Sequence, residues 1–431
     1  MKHFKLMLVT LSISALLTAC QDETTTAPQD TQVQSFTQAS LSVPQQGDFS
    51  VTEVTDPQLP PINSSKEPLS FISVPAKTFT ISPPPSSHSS TSDEYWTTVT
   101  GTELNQGISL SISQASSVIR ISPRADMSSG SLMHSKAISP EKIQLLNLDN
   151  KSGASKSSSN IHSMADPQAL ATAGLTDDSS ALTMSSSAKP GKYQLKVSEP
   201  LESTSSYLVN VKEKHSPYQL KLTSKIRVSS QSRTLDFKLA LTNSHQQFKP
   251  TASLKHSDGS YQALNLMPNN GQWQVQLPET LAMPNSNQGL SEIQIDMQTN
   301  VNGTQVIRTV KTAFKQFVPS AKLQQQVNTR WLEGIPASID FSLDIADEGR
   351  FALSAYLTGT NSSGQDQMIL KTESANWLTL DNSTIQLKLD SKLIQSSGLG
   401  DPFKLVGLEL KDQGQMSRLS YQQEALILKQ K

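Results

Sequence analysis

Apolar and polar residues alternate along most of the chain after residue 90. Because successive side chains of a strand point to opposite sides of a sheet, this period of two predicts strands with one buried face. Asn-Gly, Asp-Gly and Ser-Gly pairs separate many of these segments and supply the positive φ that tight turns need. The alternating segments include residues 118–121, 193–197, 207–211, 235–241, 273–277, 293–297, 341–345, 353–357, 385–389 and 405–410. The pattern therefore predicts an all-β protein of antiparallel strands.

The turn signals divide this part of the chain into three blocks of a little over one hundred residues each. Short strands with regularly spaced turns, in blocks of that size, are typical of immunoglobulin-like β-sandwiches. The predicted blocks are an N-terminal β domain (91–214), an immunoglobulin-like sandwich (215–319) and a C-terminal immunoglobulin-like sandwich (320–431). The fold class is thus tandem β-sandwich domains.

Long loops and one short helix complete the prediction for the N-terminal β domain. Ser-rich insertions at residues 127–135, 151–163 and 179–187 are predicted to be loops. The only clear helix start is Asp166-Pro167, a capping residue followed by Pro at the first helical position. We expect a helix of at most two turns after it.

The first twenty residues have the features of an export signal. Lys2 and Lys5 form a basic start, and residues 6–17 are an apolar run too short to span a membrane. The segment ends on Leu17-Thr18-Ala19-Cys20, which resembles the lipobox of bacterial lipoproteins. That resemblance implies removal of residues 1–19 and a diacylglyceryl group on Cys20, the lipidation site. A lipid of this kind holds a protein durably on a membrane.

The residues after Cys20 predict where the protein resides. Lipoproteins kept in the inner membrane usually carry Asp directly after the cysteine, whereas Gln21 follows Cys20 here. The resemblance therefore favours the outer membrane, with the protein facing the periplasm or the exterior. Cys20 is the one cysteine of the chain, so a lipidated protein has no thiol left for disulfides, thiol catalysis or thiolate metal sites.

Residues 21–90 are predicted to be a disordered tether between the lipid and the folded domains. Forty of these seventy residues are Ser, Thr, Pro or Gln, and ten of the 23 prolines of the chain lie here. Such a composition buries too little apolar surface to offset the entropy of ordering. Phe71 and Phe79 belong to a local alternation, so the start of the first folded domain stays open.

Composition and charge exclude one class of partner. Lys and Arg total 36 against 37 for Asp and Glu, which leaves a net charge of −1. A protein that holds a phosphate backbone needs a basic excess, so we expect no nucleic-acid partner. Hydrophobic residues are 35% and charged residues only 17%, and the chain holds 66 serines, which is the surface of a Ser-rich β protein or of disordered chain.

Strand and turn motifs of the mature part resemble those of an uncharacterised proteobacterial family. The segments are YWTTVTG (95–101), ELNQG (103–107) and SVIRISP (117–123), followed in the third block by EGRFALSAYL (348–357), DPF (401–403) and LEL (408–410). Members of that family have an N-terminal β domain followed by two immunoglobulin-like domains. The resemblance implies architecture and assigns no catalytic residue.

The sequence gives no strong signal for catalysis, for a metal or for a cofactor. No HExxH, Gly-x-Ser-x-Gly or phosphate-binding Gly-rich motif is present in the sequence. Asp340, Asp344, Asp347 and Glu348 cluster before Gly349, so calcium near Asp344 and Asp347 is an open alternative to a solvent-facing strand edge and turn. We expect no enzyme, no cofactor and no bound metal.

Aromatic residues are 5% of the chain, whereas sugar-binding sandwiches usually expose several Trp or Tyr residues as stacking platforms. Trp273 alternates with Val275 and Leu277 and is predicted to lie in a core. Trp377 follows a polar stretch and is the candidate ligand contact. Exposure of Trp331 or Trp377 beside a groove would favour sugar binding.

These features favour a lipid-anchored cell-envelope protein of non-enzymatic binding or adaptor type, whose sandwiches dock onto an envelope protein or glycan that the sequence does not identify. One alternative is a glycan-binding envelope module. The other is a hydrolase with a site in the loops of the N-terminal β domain, which requires a pocket with convergent polar groups.

The prediction for Cys20 is directly testable. Replacing Cys20 with Ala removes the thiol that accepts the lipid, so the variant should leave the membrane fraction and lose radiolabelled fatty acid. Fractionation of envelopes and palmitate labelling measure both effects, with a Ser35→Ala variant as the control for substitution alone. Retention of label by the Cys20 variant would contradict the lipobox interpretation.

Overall fold

A computed structural model gives the structure of the protein, and it describes residues 34–58, 65–76, 78–126, 133–149, 160–244, 246–256, 260–282 and 290–430. The predicted signal peptide, Cys20 and the first part of the predicted tether lie outside these residues. Strands and helices are numbered below in chain order along the described residues.

The N-terminal domain is a sandwich of two antiparallel sheets. Its first sheet has the strand order β10 (Ile161–Ala165), β11 (Ser180–Met184), β6 (Val118–Pro123), β13 (Ser206–Lys212) and β4 (Glu94–Thr100). Its second sheet has the order β5 (Ile108–Ile112), β12 (Gly191–Val197) and β9 (Ile143–Asn147), and β7 (Ala125–Asp126) pairs with β8 (Met133–His134). Alternating apolar residues such as Ile119, Val209 and Leu195 form the core between the sheets.

The middle domain is also a two-sheet sandwich, with a core that includes Leu222, Phe237, Ile293 and Phe314. Its first sheet has the order β19 (Leu266–Asn269), β20 (Gln272–Gln276), β16 (Thr234–Leu241), β14 (Leu220–Lys225) and β3 (Ser87–Ser92). Its second sheet has the order β15 (Arg227–Ser229), β22 (Thr304–Phe317), β21 (Ser291–Val301), β17 (Thr251–Lys255) and β18 (Tyr261–Leu264). Trp273 packs half-buried against this core, as its alternation with Val275 predicts.

Six strands of the C-terminal domain are 11 to 13 residues long, and its core, the largest of the three, includes Trp331, Phe341, Phe351 and Leu405. Its first sheet has the order β1 (Gln34–Ser40), β23 (Ala321–Leu332), β24 (Ile335–Ile345) and β27 (Thr384–Lys388). Its second sheet has the order β2 (Leu69–Ser73), β26 (Asp366–Leu378), β25 (Gly349–Thr360), β28 (Gly400–Asp412) and β29 (Ser417–Leu428). The prediction of tandem β-sandwich domains is confirmed.

The described residues contain three short α-helices where the sequence predicted one. Helix α2 (Pro167–Thr172) is the predicted one, and the Asp166 side chain caps it by accepting from the Ala169 N–H at 2.8 Å. Helix α1 (Gly101–Gln106) and helix α3 (Ser391–Ser396) were missed. Thr100 and Glu103 form a capping box at α1, which is a signal that the sequence does contain. Short 3₁₀ turns lie at Pro140–Lys142 and Glu279–Ala282.

The prediction of three Ser-rich loops is wrong for most of the residues that the structure describes. Residues 133–134 of the first lie in β8 and residues 161–163 of the second lie in β10, while residues 127–132 and 151–159 lie outside the described residues. Most of residues 179–187 is strand β11, which pairs with β10 on one side and β6 on the other. Ser179 and Ser180 are fully buried, and their hydroxyls donate to the Asp177 carboxylate and to the Ile138 carbonyl. Serine tolerates burial here because these hydrogen bonds compensate the desolvation of the hydroxyls.

The prediction of a disordered tether over residues 21–90 is wrong for the described part of that segment. Residues 34–92, which we call the strap, supply three edge strands to domains that follow much later in the chain. Strand β1 pairs with β23 and β2 pairs with β26, both in the C-terminal domain, and β3 pairs with β14 in the middle domain. Backbone hydrogen bonds order a polar segment without requiring it to bury apolar side chains.

Side chains of the strap also pack on the C-terminal domain. Leu41 and Val51 are buried members of its core, and the Phe79 ring stacks on Tyr356 with 5.2 Å between ring centroids. The Thr55 N–H donates to the Pro319 carbonyl, where the middle and C-terminal domains meet. The described part of the strap that precedes β3 is therefore an integral part of the C-terminal domain.

A guanidinium group lies beside the strap where the middle and C-terminal domains meet. The Arg227 guanidinium of the middle domain lies 4.6 Å from the Phe49 ring of the strap and 5.4 Å from Phe317. Burial, followed by the nearby charge of Arg418, lowers the pKa of Arg227 to about 10. The aromatic rings compensate part of this desolvation and hold the strap against the middle domain.

The domain boundaries change accordingly. The predicted sandwich of residues 320–431 lacks β1 and β2, and the predicted sandwich of residues 215–319 lacks β3, since the strap supplies all three. The N-terminal domain begins at β4, close to its predicted start. Within the described ranges, the chain has no helix of the length and apolarity needed to cross a bilayer.

Two valines of the strap test its contribution to stability. Val51 is 6% exposed and Val43 is 84% exposed, so Val51→Ala removes buried methyl groups while Val43→Ala removes solvent-exposed ones. We expect Val51→Ala to destabilise the C-terminal domain by about 1–3 kcal/mol and Val43→Ala by less than about 0.5 kcal/mol.

Hydrogen exchange of the β23 amides measures this difference, because β23 lies next to β1 in the sheet. Protection should fall about tenfold for each 1.4 kcal/mol lost. Equal protection in the two variants would show that the strap adds nothing to the core.

Candidate functional site

A fully buried ion pair joins the N-terminal and middle domains. Glu213 ends the last strand region of the N-terminal domain, and Arg308 belongs to β22 of the middle domain. Glu213 Oε2 and Arg308 Nη2 are 2.7 Å apart, and both side chains are 0% exposed. Burying two charges is favourable only where every remaining polar atom finds a partner.

The remaining polar atoms of Glu213 and Arg308 form hydrogen bonds with residues on both sides of the contact between the two domains. The Glu213 carboxylate also accepts from the Ser113 N–H at 2.5 Å and from the Ser113 hydroxyl. The Arg308 guanidinium also donates to the Tyr218 and Ile307 carbonyls and to the Ser216 hydroxyl, each at 2.7 to 2.8 Å. Arg308 thus binds the connecting segment and both domains at once, which fixes their relative orientation.

A second set of contacts lies beside this ion pair. The Trp96 Nε1–H donates to Gln294 Oε1 at 3.0 Å, and Lys311 Nζ lies 4.8 Å from the centroid of the Trp96 ring. The buried Tyr95 hydroxyl donates to the Ser111 carbonyl. Burial raises the pKa of Tyr95 above its ordinary value, so this hydroxyl stays protonated and keeps its hydrogen bond.

A cleft of about 720 Å³ opens from this joint, between the first sheet of the N-terminal domain and the second sheet of the middle domain. Its closed end lies where Trp96 of β4 meets Gln294 of β21. One wall extends from β4 through β13 to β6, and the other extends from β22 through β21 and β17 to β18. Since neighbouring strands are about 4.8 Å apart, each wall is on the order of 10 Å deep. The cleft is a wedge with a fixed apex.

The wall from the N-terminal domain presents a row of polar side chains. Trp96, Asn210 and Arg120 lie side by side on three adjacent strands, because Asn210 pairs with both of the others. Arg120 Nη2 lies 3.8 Å from Asp177 Oδ2, and Arg120 Nε is buried with no hydrogen-bond partner among the described residues. Arg124 lies exposed at the mouth of the cleft.

The wall from the middle domain carries a second polar row. Lys255 and Tyr261 face each other across β17 and β18 at the mouth, and the Tyr261 ring is 41% exposed. Deeper in the cleft, Asp296 accepts from the Thr309 hydroxyl at 2.6 Å and from the Gln294 amide at 2.9 Å. The cleft can therefore offer amide, hydroxyl, cationic and aromatic groups to one ligand.

The acidic groups of the cleft are held by internal contacts. Glu292 Oε1 lies 3.1 Å from Lys311 Nζ and 3.9 Å from Lys255 Nζ. Glu94 Oε2 accepts from the Asn210 amide at 3.1 Å and lies 3.7 Å from Lys212 Nζ. These carboxylates position their neighbours on the walls.

Of the tryptophans proposed as sugar platforms, neither lies in this cleft. Trp331 is 1% exposed in the C-terminal core and donates its Nε1–H to the Thr37 hydroxyl of the strap at 2.8 Å, so it is no platform. Trp377, the candidate ligand contact, is half-buried and donates its Nε1–H to Glu348 at 3.1 Å. Lys66 Nζ covers its ring at 4.5 Å.

The candidate calcium residues lie apart from the cleft, in the C-terminal domain. Asp344 accepts from the Gln324 amide at 2.8 Å, and Asp347 accepts from the Glu348 N–H at 2.8 Å. Within the described ranges no group of three His, Cys, Asp or Glu side chains could hold a metal ion. Cys20 lies outside the described residues.

The sequence reasoning missed the Arg308–Glu213 pair, although a signal for Arg308 exists. In β22, Val306, Arg308, Val310 and Phe314 share one face of the strand, and that face is buried. A charged residue at an inward position of an alternating strand predicts a buried partner of opposite charge. The cleft itself has no such signal, because its walls are polar outer faces from different domains.

Comparison with known proteins adds a family context. Residues 60–213 match the domain described as domain of unknown function DUF4785, N-terminal domain, and residues 320–429 match the DUF4785 C-terminal domain. No protein in the set of curated sequences matches the chain.

Solved structures support the fold. The crystal structure of a DUF4785 family protein from Legionella pneumophila is similar, with a TM-score of 0.61 and 20% identity over 84% of this chain and 93% of that chain. The FN1–FN3 domains of chicken CNTN1 have a TM-score of 0.18 and 8% identity, over 75% of this chain and 98% of that chain. At that score the second match carries no argument.

The buried ion pair can be tested with two Glu→Gln substitutions. Glu213→Gln keeps the shape of the side chain but leaves Arg308 buried without a counter-charge, which costs about 3–5 kcal/mol. Glu279→Gln is the matched control, because Glu279 is 90% exposed and lies 3.9 Å from Arg233, and such surface pairs contribute about 0–1 kcal/mol.

Scanning calorimetry of the full chain should show the affected transition lowered by roughly 10 °C in Glu213→Gln. The control should differ from the unaltered protein by no more than a few degrees. Similar melting of both variants would show that the pair does not stabilise the joint.

Proposed function

We propose that this chain, which carries the N-terminal and C-terminal domains of the DUF4785 family, is a lipid-anchored cell-envelope protein that binds a partner without catalysis. Its binding surface is the cleft between the N-terminal and middle domains. The partner is a protein or a glycan of the envelope.

The fixed wedge of the cleft is the observation that carries this proposal. Sites for ligands occur preferentially between domains, and volumes of about 300–1,000 Å³ are typical of them. A cleft of 720 Å³ whose apex is held by the Arg308–Glu213 pair falls in this class. Because the walls are already oriented, little entropy is lost when a ligand binds.

The chemistry of the cleft supports binding over catalysis. Among the described residues that line it there is no histidine and no cysteine, which are frequent groups for proton transfer and nucleophilic attack at neutral pH. Asp296 is held by Thr309 and Gln294, and Glu94 is held by Asn210 and Lys212. Carboxylates held in this way orient the side chains around them, and oriented side chains can bind a ligand.

The strap determines how a lipid on Cys20 would orient the molecule. Strand β1 begins at Gln34, fourteen positions after Cys20, and it pairs with the C-terminal domain. Fourteen extended residues reach at most about 50 Å. In this proposal the C-terminal domain is held near the membrane, while the cleft belongs to the other two domains.

Photo-crosslinking from the cleft tests this function. A photoreactive residue replaces Tyr261 at the mouth of the cleft, and in a second protein it replaces Met416, which is 84% exposed on the C-terminal domain. In intact envelopes we expect a discrete adduct from position 261 that is missing from position 416.

The same experiment with the Cys20→Ala form examines the role of the anchor. The adduct should weaken severalfold when the protein is released from the membrane. Identical adducts from both positions, or none from the cleft, would refute the cleft as the binding surface. An undiminished adduct in the Cys20→Ala form would show that anchoring does not position the protein for its partner.

A further inference from the structure

The walls of the cleft restrict the kind of ligand that it can recognise. Strand β13 is paired on both sides, with β4 and β6, and β21 is paired on both sides, with β22 and β17. Between the end strands β4 and β18 the walls therefore offer side chains, and an extended peptide could add itself as a strand only at those two ends. Recognition in the body of the cleft occurs through side-chain hydrogen bonds.

Those side chains suit a ligand with many hydroxyl groups. Asn210, Gln294, Asp296 and Thr309 present amides, a carboxylate and a hydroxyl across a gap between two rigid sheets. Each of these groups bonds to a neighbour on the walls and keeps a further N–H or lone pair that can donate to or accept from an alcohol. At the mouth, the Tyr261 ring is 41% exposed and offers a flat apolar face. A sugar ring has the matching combination of hydroxyl edges and an apolar C–H face.

The mouth of the cleft adds positive charge. Arg120 and Arg124 lie on the wall of the N-terminal domain, and Lys255 lies on the opposite wall. Arg120 has one nearby carboxylate, Asp177 at 3.8 Å, and its buried Nε–H lacks a partner among the described residues. The 3.8 Å contact with Asp177 is longer than a hydrogen bond, so the Nη–H groups of Arg120 favour a carboxylate or phosphate oxygen, because charge-assisted hydrogen bonds are the stronger ones.

The carboxylates near the cleft do not neutralise the positive charge at its mouth. Asp296 and Glu94 lie deeper, and both are held by hydrogen bonds to wall residues. Glu292 is closer to Lys311, at 3.1 Å, than to Lys255, at 3.9 Å. The charge of Lys255 is therefore only partly neutralised, and positively charged side chains lie on both sides of the mouth of the cleft.

We infer that the cleft binds an acidic oligosaccharide, a sugar chain that carries carboxylate or phosphate groups. This inference rests on the proposed function and specifies its ligand. Sugar rings lie between the two polar rows, one ring stacks on Tyr261, and an acidic group pairs with Arg120 and Arg124.

Isothermal titration of the full chain with a galacturonate tetramer tests the inference. The methyl ester of the same tetramer is the matched ligand, because it keeps the sugar rings and removes the charges. We expect the acid to bind at least tenfold more tightly than the ester. Higher salt should weaken the acid more than the ester, because salt screens exposed charge pairs.

Three variants locate the binding. Arg124→Gln and Tyr261→Ala change exposed side chains of the cleft, so they should fold normally and weaken binding of the acid about tenfold. Arg233→Gln is the matched control, since Arg233 is half-exposed in the middle domain and pairs with Glu279 away from the cleft. It should bind like the unaltered protein.

Each remaining outcome overturns the inference or part of it. Equal affinity for acid and ester removes the acidic requirement, and loss of binding in Arg233→Gln places the site elsewhere. If neither tetramer binds at millimolar concentration, the saccharide class is wrong. The proposed function would still stand in that case if crosslinking from position 261 yields a protein adduct, and it would fall together with the inference if no adduct forms.

Discussion

Backbone pairing between the strap and strands far along the chain is the interaction on which this architecture depends. Without β1 and β2, strands β23 and β26 would each present an open edge, and open edges pair with other chains. The strap pairs with both edges within the same molecule, and β1 and β2 become the outer strands of these sheets. It then continues to the middle domain, where β3 pairs with β14 and becomes the outer strand of that sheet. The C-terminal and middle domains are consequently joined by the hydrogen-bonded strands of the strap as well as by the segment between them.

The strap and the buried Arg308–Glu213 pair each hold a different pair of domains together. The strap fixes the C-terminal domain to the middle domain near Pro319, while the ion pair fixes the middle domain to the N-terminal domain. An isolated buried pair is weak evidence for stability, but one with every partner satisfied specifies a single geometry. The cleft depends on this geometry, since its two walls come from different domains and would have no fixed separation otherwise.

The strands of the three sandwiches were predictable because their cores impose a period of two. Residues 293–297 and 353–357 alternate, and they lie inside β21 and β25. The strap could not be predicted in the same way. Strand β3 is wholly polar in sequence, Ser-His-Ser-Ser-Thr-Ser, and it is a strand because its backbone bonds to β14. An edge strand of this kind carries no side-chain pattern, and a disordered segment has the same composition.

The cleft was beyond sequence reasoning for a related reason. Its residues are the outward positions of ordinary strands, and nothing in their spacing shows that two such faces meet. Arg308 was the exception, because its inward position in β22 marks a buried charge. The N-terminal domain, whose loops were the alternative location for a site, contributes a sheet face to the cleft, and Trp377, the candidate ligand contact, lies in the C-terminal domain.

The strap also has a consequence for how the protein is made. Residues 34–92 are synthesised long before the strands with which they pair. Gln45 contacts Glu424, 379 positions later, so the C-terminal sandwich closes only when nearly the whole chain has been made. Contacts of such long range fold slowly and leave strand edges open meanwhile. Strands β1 and β2 therefore stay unpaired through most of synthesis, when they can pair with other chains instead.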